Sequence, residues 1–216
     1  MASGFPGSID NFTDPLANSS LASPSHAGQH ADLNDAVEKI ETYMGLVKVI
    51  PTGATNGTVS AAGDVTIGNA VSSVTVSGAF SANYDAYKIL VTGGSASTSS
   101  VIQLKMGATA TGYYFGFMYL NYGSNTVVGE QTTTGTLWTY GGDSSANGLH
   151  ADITLHNPFL SKRTFIHSNI GSGGGAGYVG QFSGMLNNTT SYTDFVLIPN
   201  VGTLTGGTIR VYGYRN

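Results

Sequence analysis

The apolar residues of this chain follow two different periods. Between residues 33 and 47 they recur at spacings of 4, 3, 4 and 3, at Leu33, Val37, Ile40, Met44 and Val47. This is the a/d pattern of a coiled coil, and its apolar stripe is narrower than that of a helix that packs on its own domain. We therefore predict a short helix over residues 31–47 that associates with copies of itself. Packing of the helix on the β region of its own chain is the alternative.

The residues near the two ends of this segment also fit a helix. Asp32 can act as the N-cap, and Asp35 places a negative charge near the positive end of the helix dipole. Gly45 fits the left-handed position that ends many helices. About two heptads are marginal as an isolated coiled coil, so the flanking segments must help to hold the copies together.

From residue 48 onwards, apolar residues alternate with polar ones, as in strands that bury one face. In Leu149–His156 every second residue is apolar, and the residues between them are His, Asp and Thr. Clusters of Gly, Ser and Asn separate such runs. The pattern predicts strands at Val65–Ile67, Val74–Phe80, Tyr87–Val91, Val101–Met106, Tyr113–Leu120, Thr136–Tyr140, Leu149–His156, Thr164–Ser168, Tyr178–Leu186, Asp194–Ile198 and Thr208–Tyr214.

Many short strands with no second helix are typical of an antiparallel β-sandwich or jelly roll. We therefore predict a mainly β chain in which one short coiled-coil helix, residues 31–47, follows an extended N-terminal arm, residues 1–30. Residues 48–70 would form a linker with the first strands, and residues 71–216 a β-sandwich head.

The N-terminal arm has no regular period. Its apolar residues are scattered among Asp, Asn, Ser and Pro, so the segment cannot bury enough apolar surface to fold alone. Fully extended, it would reach roughly 100 Å, which is enough to cross a neighbouring subunit. We interpret it as an arm that docks on another surface, and a disordered tail is the alternative. The residues expected to anchor it are Phe5, Pro6, Ile9, Phe12 and Pro15.

The composition narrows the classes of partner. Charged residues make up only 9% of the chain, compared with about 25% in ordinary globular domains. A polar but nearly uncharged surface suits a chain that is covered by copies of itself or by a larger assembly, and it also suits contact with glycans. The net charge is −4, and Lys162 and Arg163 are the one adjacent basic pair, which argues against nucleic-acid binding.

Three sequence features bear on redox chemistry and localisation. The chain has no cysteine, so it can form neither a disulfide nor a thiolate metal site. The start, MASGFPGSID, lacks the charged and apolar regions of a secretory signal. The longest apolar run, Tyr113–Leu120, is too short to cross a bilayer. We expect a chain that is made in the cytoplasm and does not insert into a membrane.

Histidines and carboxylates give little evidence for a metal or catalytic site. His150 and Asp152 share one face of a predicted strand, but His156 would lie roughly 13 Å from Asp152, so a solvent face or a subunit contact is the preferred interpretation. His26 and His30 precede the predicted helix and are interpreted as capping residues, with a metal on an oligomer axis as the alternative. No nucleophile or phosphate-loop motif is present. We predict no catalytic residue, no metal and no cofactor.

Aromatic residues are concentrated between residues 113 and 140. About half of them are expected in the core, because alternate residues of a strand point inward. The others could stack on sugars or pack at a subunit interface, since Tyr and Trp supply both area and a hydrogen bond, and packing is the preferred interpretation. The residues that we single out for possible receptor binding are Tyr119, Tyr122, Trp138 and Tyr140.

Two segments resemble a known class of proteins. FPGSIDNFTDP followed by SPSHAGQHADLNDAVEKIETYMG is similar to the N-terminal segment of tailed-bacteriophage fibre and minor tail proteins, and FVLIPNVGTLTGGTIRVYGYRN resembles the last strands of β-sandwich heads in the same class. The resemblance implies a virion structural protein, usually a homotrimer, that attaches to the particle by its N-terminus and points its head towards a host receptor, for which a glycan is the expected class. It carries over no catalytic residue.

The length of the chain is compatible with two locations of the protein on the phage particle, the tail and the capsid. A long tail fibre would contain a shaft or repeats, whereas this chain has one helix and one head. A short tail fibre that attaches to the host and a head fibre that decorates the capsid fit this length equally well. The partners expected in either case are copies of the chain itself and other virion proteins of the tail or capsid.

Overall fold

The structure is a computed structural model that describes residues 26–43, 45–172 and 177–214. The chain divides into two compact units. One holds the single described helix, and the other holds Val47–Tyr214. The second unit is mainly β and its described strand pairs are antiparallel, which confirms the predicted fold class at this level.

The helix, α1, spans His26–Tyr43. The predicted N-cap at Asp32 is wrong, because Asp32 lies inside the helix and residues 26–30 of the predicted arm are helical. The physical reason is the composition of this stretch, in which Ala and Gln favour a helix, and no Pro occurs between Pro24 and Pro51 to break it. Gly45 adopts the left-handed conformation expected where the helix ends, with φ +78°.

The end of the predicted apolar stripe also needs a correction. Met44 lies outside the described residues. Val47 belongs to a strand rather than to the helix, because the chain turns at Gly45 and leaves Val47 free to enter a sheet. The helical part of the stripe that the structure describes is therefore Leu33, Val37 and Ile40.

The strands occupy most of the remaining chain. In chain order they are β1 Leu46–Lys48, β2 Gly53–Thr55, β3 Gly57–Val59, β4 Val65–Ile67, β5 Val74–Ser77, β6 Ala86–Gly93, β7 Ser95–Ala96, β8 Ser100–Met106, β9 Tyr113–Asn121, β10 Val127–Gly135, β11 Trp138–Ser145, β12 Gly148–His156, β13 Thr164–Gly171, β14 Tyr178–Leu186, β15 Phe195–Pro199, β16 Leu204–Thr205 and β17 Thr208–Tyr214.

The strand β12 is the branch point of the main sheet. One of its edges pairs with β6 along its length, with Ile153 opposite Ile89, and β6 in turn pairs with β17. Its other edge is shared: Leu149 pairs with Ser144 of β11, whereas Ile153 pairs with Ser168 of β13. From β12 the sheet continues as two series of paired strands, which we call wings. Their strand orders are β13–β14–β9–β10 and β11–β8–β15–β5–β2.

The core consists of the alternate residues that these strands turn inward. In β6, β12 and β17 they include Ile89, Val91, Ile153, Leu155 and Val211, and each of these is fully buried. Burying one such side chain stabilises the fold by about 1.5–3 kcal/mol relative to leaving it exposed. The inward residues of β8 and β15 join the same apolar cluster.

The first short strands belong to the same compact unit as the later ones. The carboxylate of Asp64, just before β4, accepts a hydrogen bond from Nζ of Lys48 at 2.7 Å and from Nε of Arg210 at 2.8 Å. Its backbone N–H donates to Oγ of Ser60 at 3.0 Å. Asp64 therefore links β1, the approach to β4, and β17, so that residues 48–70 are joined to the C-terminal strand.

Candidate functional site

Aromatic residues line the inward face of β9, because every second residue of this strand is Tyr or Phe. Tyr113, Phe115, Phe117 and Tyr119 share that face. Tyr113 is fully buried, packs edge-on against Trp138 with ring centroids 5.1 Å apart, and its hydroxyl accepts from the backbone N–H of Met106 at 2.8 Å. Tyr113 therefore has a structural role, and the part of the face that approaches the surface begins at Phe115.

Three further strands add side chains to this end of β9. Glu130 of β10 lies directly opposite Phe117, Tyr140 comes from β11, and Tyr178 comes from β14. The ring of Phe117 stacks on Tyr140 with centroids 4.2 Å apart and on Tyr119 at 4.9 Å. We call this group the tyrosine cluster, and its members are Phe115, Phe117, Tyr119, Glu130, Tyr140, Tyr178 and Phe182.

Two glycines on β14 leave the space that these rings occupy. A Cβ atom on Gly180 would lie 2.5 Å from the carbonyl oxygen of Met118 and 2.6 Å from Cβ of Tyr119. A Cβ atom on Gly184 would lie 2.5 Å from the carbonyl oxygen of Tyr114 and 2.9 Å from Nε1 of Trp138. Any larger residue at either position would push β14 away from β9, so the cluster requires glycine there.

Glu130 is the hydrogen-bond acceptor at the centre of the cluster. Its Oε2 accepts from the hydroxyl of Tyr140, and its Oε1 accepts from the hydroxyl of Tyr119 at 3.3 Å. Hydrogen bonds to a carboxylate are stronger than those between neutral groups. None of the described ion pairs includes Glu130. The site thus combines partly buried aromatic rings, packed around the buried ring of Phe117, with one exposed carboxylate.

The tyrosine hydroxyls of the cluster remain protonated over a wide pH range. Burial first, and then the charge of Glu130, raises the pKa of Tyr140 and of Tyr119 above the ordinary value. Burial, together with the charges of Asp143 and Glu130, raises the pKa of Tyr178 to about 12. At neutral pH all three are therefore neutral groups that can donate a hydrogen bond.

The structure brings together two of the four residues predicted for receptor binding. Tyr119 and Tyr140 meet at Glu130. Tyr122 is exposed but lies beyond the end of β9 and outside the cluster. The prediction for Trp138 is wrong: the side chain is 0% exposed, because Trp138 occupies an inward position of β11 and packs on Tyr113.

Five members of the cluster were not among the residues predicted for receptor binding, namely Phe115, Phe117, Glu130, Tyr178 and Phe182. Phe117 and Phe115 could have been found from the alternation of β9, which places them on the same face as Tyr119. Tyr178 lies distant in sequence and reaches the cluster only because β14 pairs with β9. Glu130 lies on β10, a strand that the apolar pattern does not mark.

The predicted association residues on α1 are solvent-exposed in the single chain. Leu33, Val37 and Ile40 are 53%, 44% and 42% exposed. His26 and His30 lie within the first turns of this helix rather than ahead of it. The residues predicted to anchor the arm, Phe5, Pro6, Ile9, Phe12 and Pro15, lie outside the described residues.

The other polar candidates are not gathered into one centre. Asp152 forms an ion pair with Lys88 at 2.7 Å, and His156 lies beside His167 of β13, with ring centroids 5.7 Å apart. Within the described ranges, no group of three or more His, Cys, Asp or Glu side chains could hold a metal ion. Among the same residues, no helix has both the length and the hydropathy needed to cross a membrane.

Comparisons of the chain with protein-family models, with curated proteins and with solved structures gave no match.

Proposed function

We propose that this protein is a bacteriophage virion structural protein, a short homotrimeric fibre that attaches to the particle through its N-terminal residues. The observation that carries the proposal is the exposed apolar stripe Leu33, Val37 and Ile40 on a helix that precedes a charge-poor β unit. A stripe with a/d spacing is stable in water only when another helix covers it. The sequence resemblance of both ends of the chain to phage fibre proteins supports the same proposal.

We also propose that the β unit is a β-sandwich head, in which the two wings form the two layers. The packing of β11 over the other wing supports this arrangement. Trp138 packs on Tyr113 of β9, and the hydroxyl of Ser168 on β13 donates to the carbonyl oxygen of Gly141 at 3.1 Å. Contacts of this kind, between strands that are not neighbours in one layer, are typical of two facing sheets.

The oligomer is tested by light scattering on the full-length chain. We expect a trimer, and we expect Val37→Glu to dissociate it because it places a charge in the helix seam. Asn34→Glu is the matched control, since Asn34 is exposed on α1 outside the stripe, and it should leave the trimer intact. A monomeric wild-type chain at all concentrations would overturn the proposal.

The head is proposed to bind a neutral host-surface glycan at the tyrosine cluster. The partly exposed edges of Tyr119 and Tyr140 can contact the apolar face of a sugar ring, and the exposed Glu130 carboxylate can accept hydrogen bonds from sugar hydroxyls. We expect Tyr119→Ala combined with Tyr140→Ala to abolish binding to host cells while the trimer persists. Tyr214→Ala, an exposed tyrosine on β17, is the control that should bind normally.

A head fibre that decorates the capsid is the second candidate, because the described residues contain one helix and one β unit, which suits a short fibre in either place. In this case the N-terminal residues would bind the capsid shell. Deletion of residues 1–25 should then abolish capsid binding and leave the oligomer unchanged. Electron microscopy of particles with a labelled antibody distinguishes a capsid location from a tail location.

A further inference from the structure

The outward side of the wing β13–β14–β9–β10 departs from the usual pattern of a solvated sheet face. An antiparallel sheet with one face in the core normally carries polar residues on the other face. Here several outward residues are large, apolar and exposed: Met118 is 58% exposed, Val179 50%, and Phe165 40%. We call the outward side of these four strands the outer face.

The apolar residues of the outer face form two rows that run across the strands. In the first row, Leu120 of β9 lies between Val127 of β10 and Val179 of β14. Residues directly opposite each other in adjacent strands point to the same side of the sheet, so these three side chains are neighbours.

The second row lies towards the other end of the same strands. Met185 of β14 lies between Tyr114 of β9 and Phe165 of β13. Met118 lies between the two rows, opposite Gln181. The outer face therefore has apolar contact groups at both ends, with Met118, His167 and polar side chains such as Gln181 and Ser183 between them.

The outer face also lacks the charges that keep exposed sheets from associating. None of the outward residues described on these four strands is Asp, Glu, Lys or Arg. In the described chain, β10 pairs only with β9, so its other edge is open. A register shift between Thr132 and Gly135 interrupts one end of this edge, whereas residues Val127 to Thr132 pair regularly with β9. Depletion of charge is also the compositional mark of the centre of a protein interface.

The size of the outer face is close to what a specific interface needs. Four strands about 4.8 Å apart and about nine residues long span roughly 19 Å by roughly 30 Å, or on the order of 600 Å² of sheet plane. A standard interface buries about 800 Å² of accessible surface on each partner, and protruding side chains make the accessible area larger than the plane.

We propose that the outer face is a contact between the β units of neighbouring copies of this chain. The inference rests on the proposed homotrimer, because association of α1 would hold the β units together at a high effective concentration. At such a concentration, a flat face with modest apolar content is sufficient for stable contact. Its Gln, Asn and Ser side chains supply both donors and acceptors, so they can form hydrogen bonds with polar groups of the neighbouring copies around a threefold axis.

Cysteine labelling of the full-length oligomer tests this proposal, and the absence of native cysteine makes each introduced thiol unique. Met118→Cys reports on the centre of the outer face, and Gln181→Cys is a second, milder variant in case the first fails to fold. Val201→Cys is the matched control, because Val201 is 49% exposed outside the outer face. We expect the native trimer to lose most of its maleimide labelling at positions 118 and 181 but not at position 201, and denaturation should restore it.

Charge insertion gives an independent readout. Met118→Lys combined with Val179→Lys should lower the denaturant concentration at which the trimer dissociates, whereas Val201→Lys should not.

Each other outcome counts against the inference in a distinct way. If Met118→Cys and Gln181→Cys label as fast as Val201→Cys in an intact trimer, the outer face is open, and the proposed fibre stands without this contact. If the two thiols become protected only after the protein binds phage particles, another virion protein covers the face and the second copy is the wrong occupant. If the wild-type chain is a monomer, both this inference and the proposed function fail.

Discussion

Gly180 lies where β14 passes closest to the aromatic residues of β9. A methyl group at this position would contact the backbone of Met118 and Cβ of Tyr119 at distances that real Cβ atoms do not show. We expect Gly180→Ala to destabilise the β unit by about 1–3 kcal/mol, because the pair β14–β9 must separate to make room. Denaturant unfolding measures the change. Gly129→Ala is the control, since no atom lies within 4 Å of a Cβ built on Gly129, and a comparable loss of stability in that variant would contradict the explanation.

Glu130 affects the ionisation of the tyrosines that surround it. Burial is the largest cause of the raised pKa of Tyr140 and of Tyr119, and the negative charge and hydrogen bonds of Glu130 raise it further. Glu130→Gln removes the charge, so we expect the pKa of both hydroxyls to fall, although burial keeps them above the ordinary value. Ultraviolet absorbance titration of tyrosinate measures the shift, with Glu38→Gln on α1 as the control. An unchanged titration curve would show that Glu130 does not face these hydroxyls in solution.

At the residue scale, the sequence shows where aromatic residues are concentrated, but it does not show which of them face the core and which form the tyrosine cluster. The concentration of aromatic residues between residues 113 and 140 is visible in the sequence, and Tyr119 and Tyr140 were selected from it. Trp138 was selected wrongly because β11 was predicted as Thr136–Tyr140, too short to show which face is inward, whereas the strand runs over Trp138–Ser145. Glu130 could not be found, because its role depends on the pairing of β10 with β9.

At the element scale, the strands with one buried face were predicted most accurately. β4, β14 and β17 have the predicted bounds, and β12 differs by one residue. β10 was missed because its residues, VVGEQTTTG, are largely exposed and follow no apolar alternation. The short strands β1, β2, β3, β7 and β16 were missed for a related reason, since two or three residues are too few to show a period.

The hydrogen bonds to Asp64 connect the short strand β1 to the C-terminal strand β17, and their contribution to stability can be tested. Its carboxylate accepts from Lys48 of β1 and Arg210 of β17, and the hydrogen bond from Lys48 is the largest cause of its lowered pKa. Because the folded pKa lies below the ordinary value of 3.8, this contribution is present above that pH and is lost as pH falls through the folded pKa. We expect Asp64→Asn to lower the free energy of unfolding at neutral pH. The free energy of unfolding of the variant should also change less with pH in the acidic range.

The measurement for Asp64 is denaturant unfolding of both proteins at neutral and at acidic pH. Asp85→Asn is the matched control, because Asp85 is an exposed aspartate that appears in none of the described ion pairs. An equal effect of the two substitutions would show that loss of net charge, rather than the link between β1 and β17, determines the result.

At the scale of the whole molecule, alternation and turn composition were sufficient to predict a mainly β chain with one helix. The bounds of α1 were predicted less well, because they were inferred from the apolar stripe, which begins at Leu33. Residues 26–32 are helical but contain no residue of that stripe. Branching of the sheet at β12 could not be read from the sequence, since it depends on how one strand edge is divided between β11 and β13.

We predict that the proposed contact between copies depends on pH. His156 of β12 lies beside Phe165 and beside His167, whose Nδ1 is 3.0 Å from Oγ of Ser183. Burial first, and then the neighbouring His167, lowers the pKa of His156 below its ordinary value of 6.5. On the adjacent strands, Lys88 of β6 and Asp152 of β12 form an ion pair with each other, and Asp85 precedes Ala86, which lies opposite His156.

The sign of the effect follows from this lowered pKa. Between the folded and unfolded pKa values the unfolded chain binds more protons, so stability falls as pH falls below about 6.5. His156 of β12 adjoins the outer face through Phe165, and His167 lies on that face, so covering it with another copy should add to the burial and enlarge the effect. We therefore expect the trimer to dissociate more readily at about pH 5 than at about pH 7.5, as measured by light scattering in denaturant.

His167→Gln should flatten this dependence, because it removes one positive charge from the pair. His150→Gln, an exposed histidine at the other end of β12, should not, and equal behaviour of the two variants would contradict the assignment.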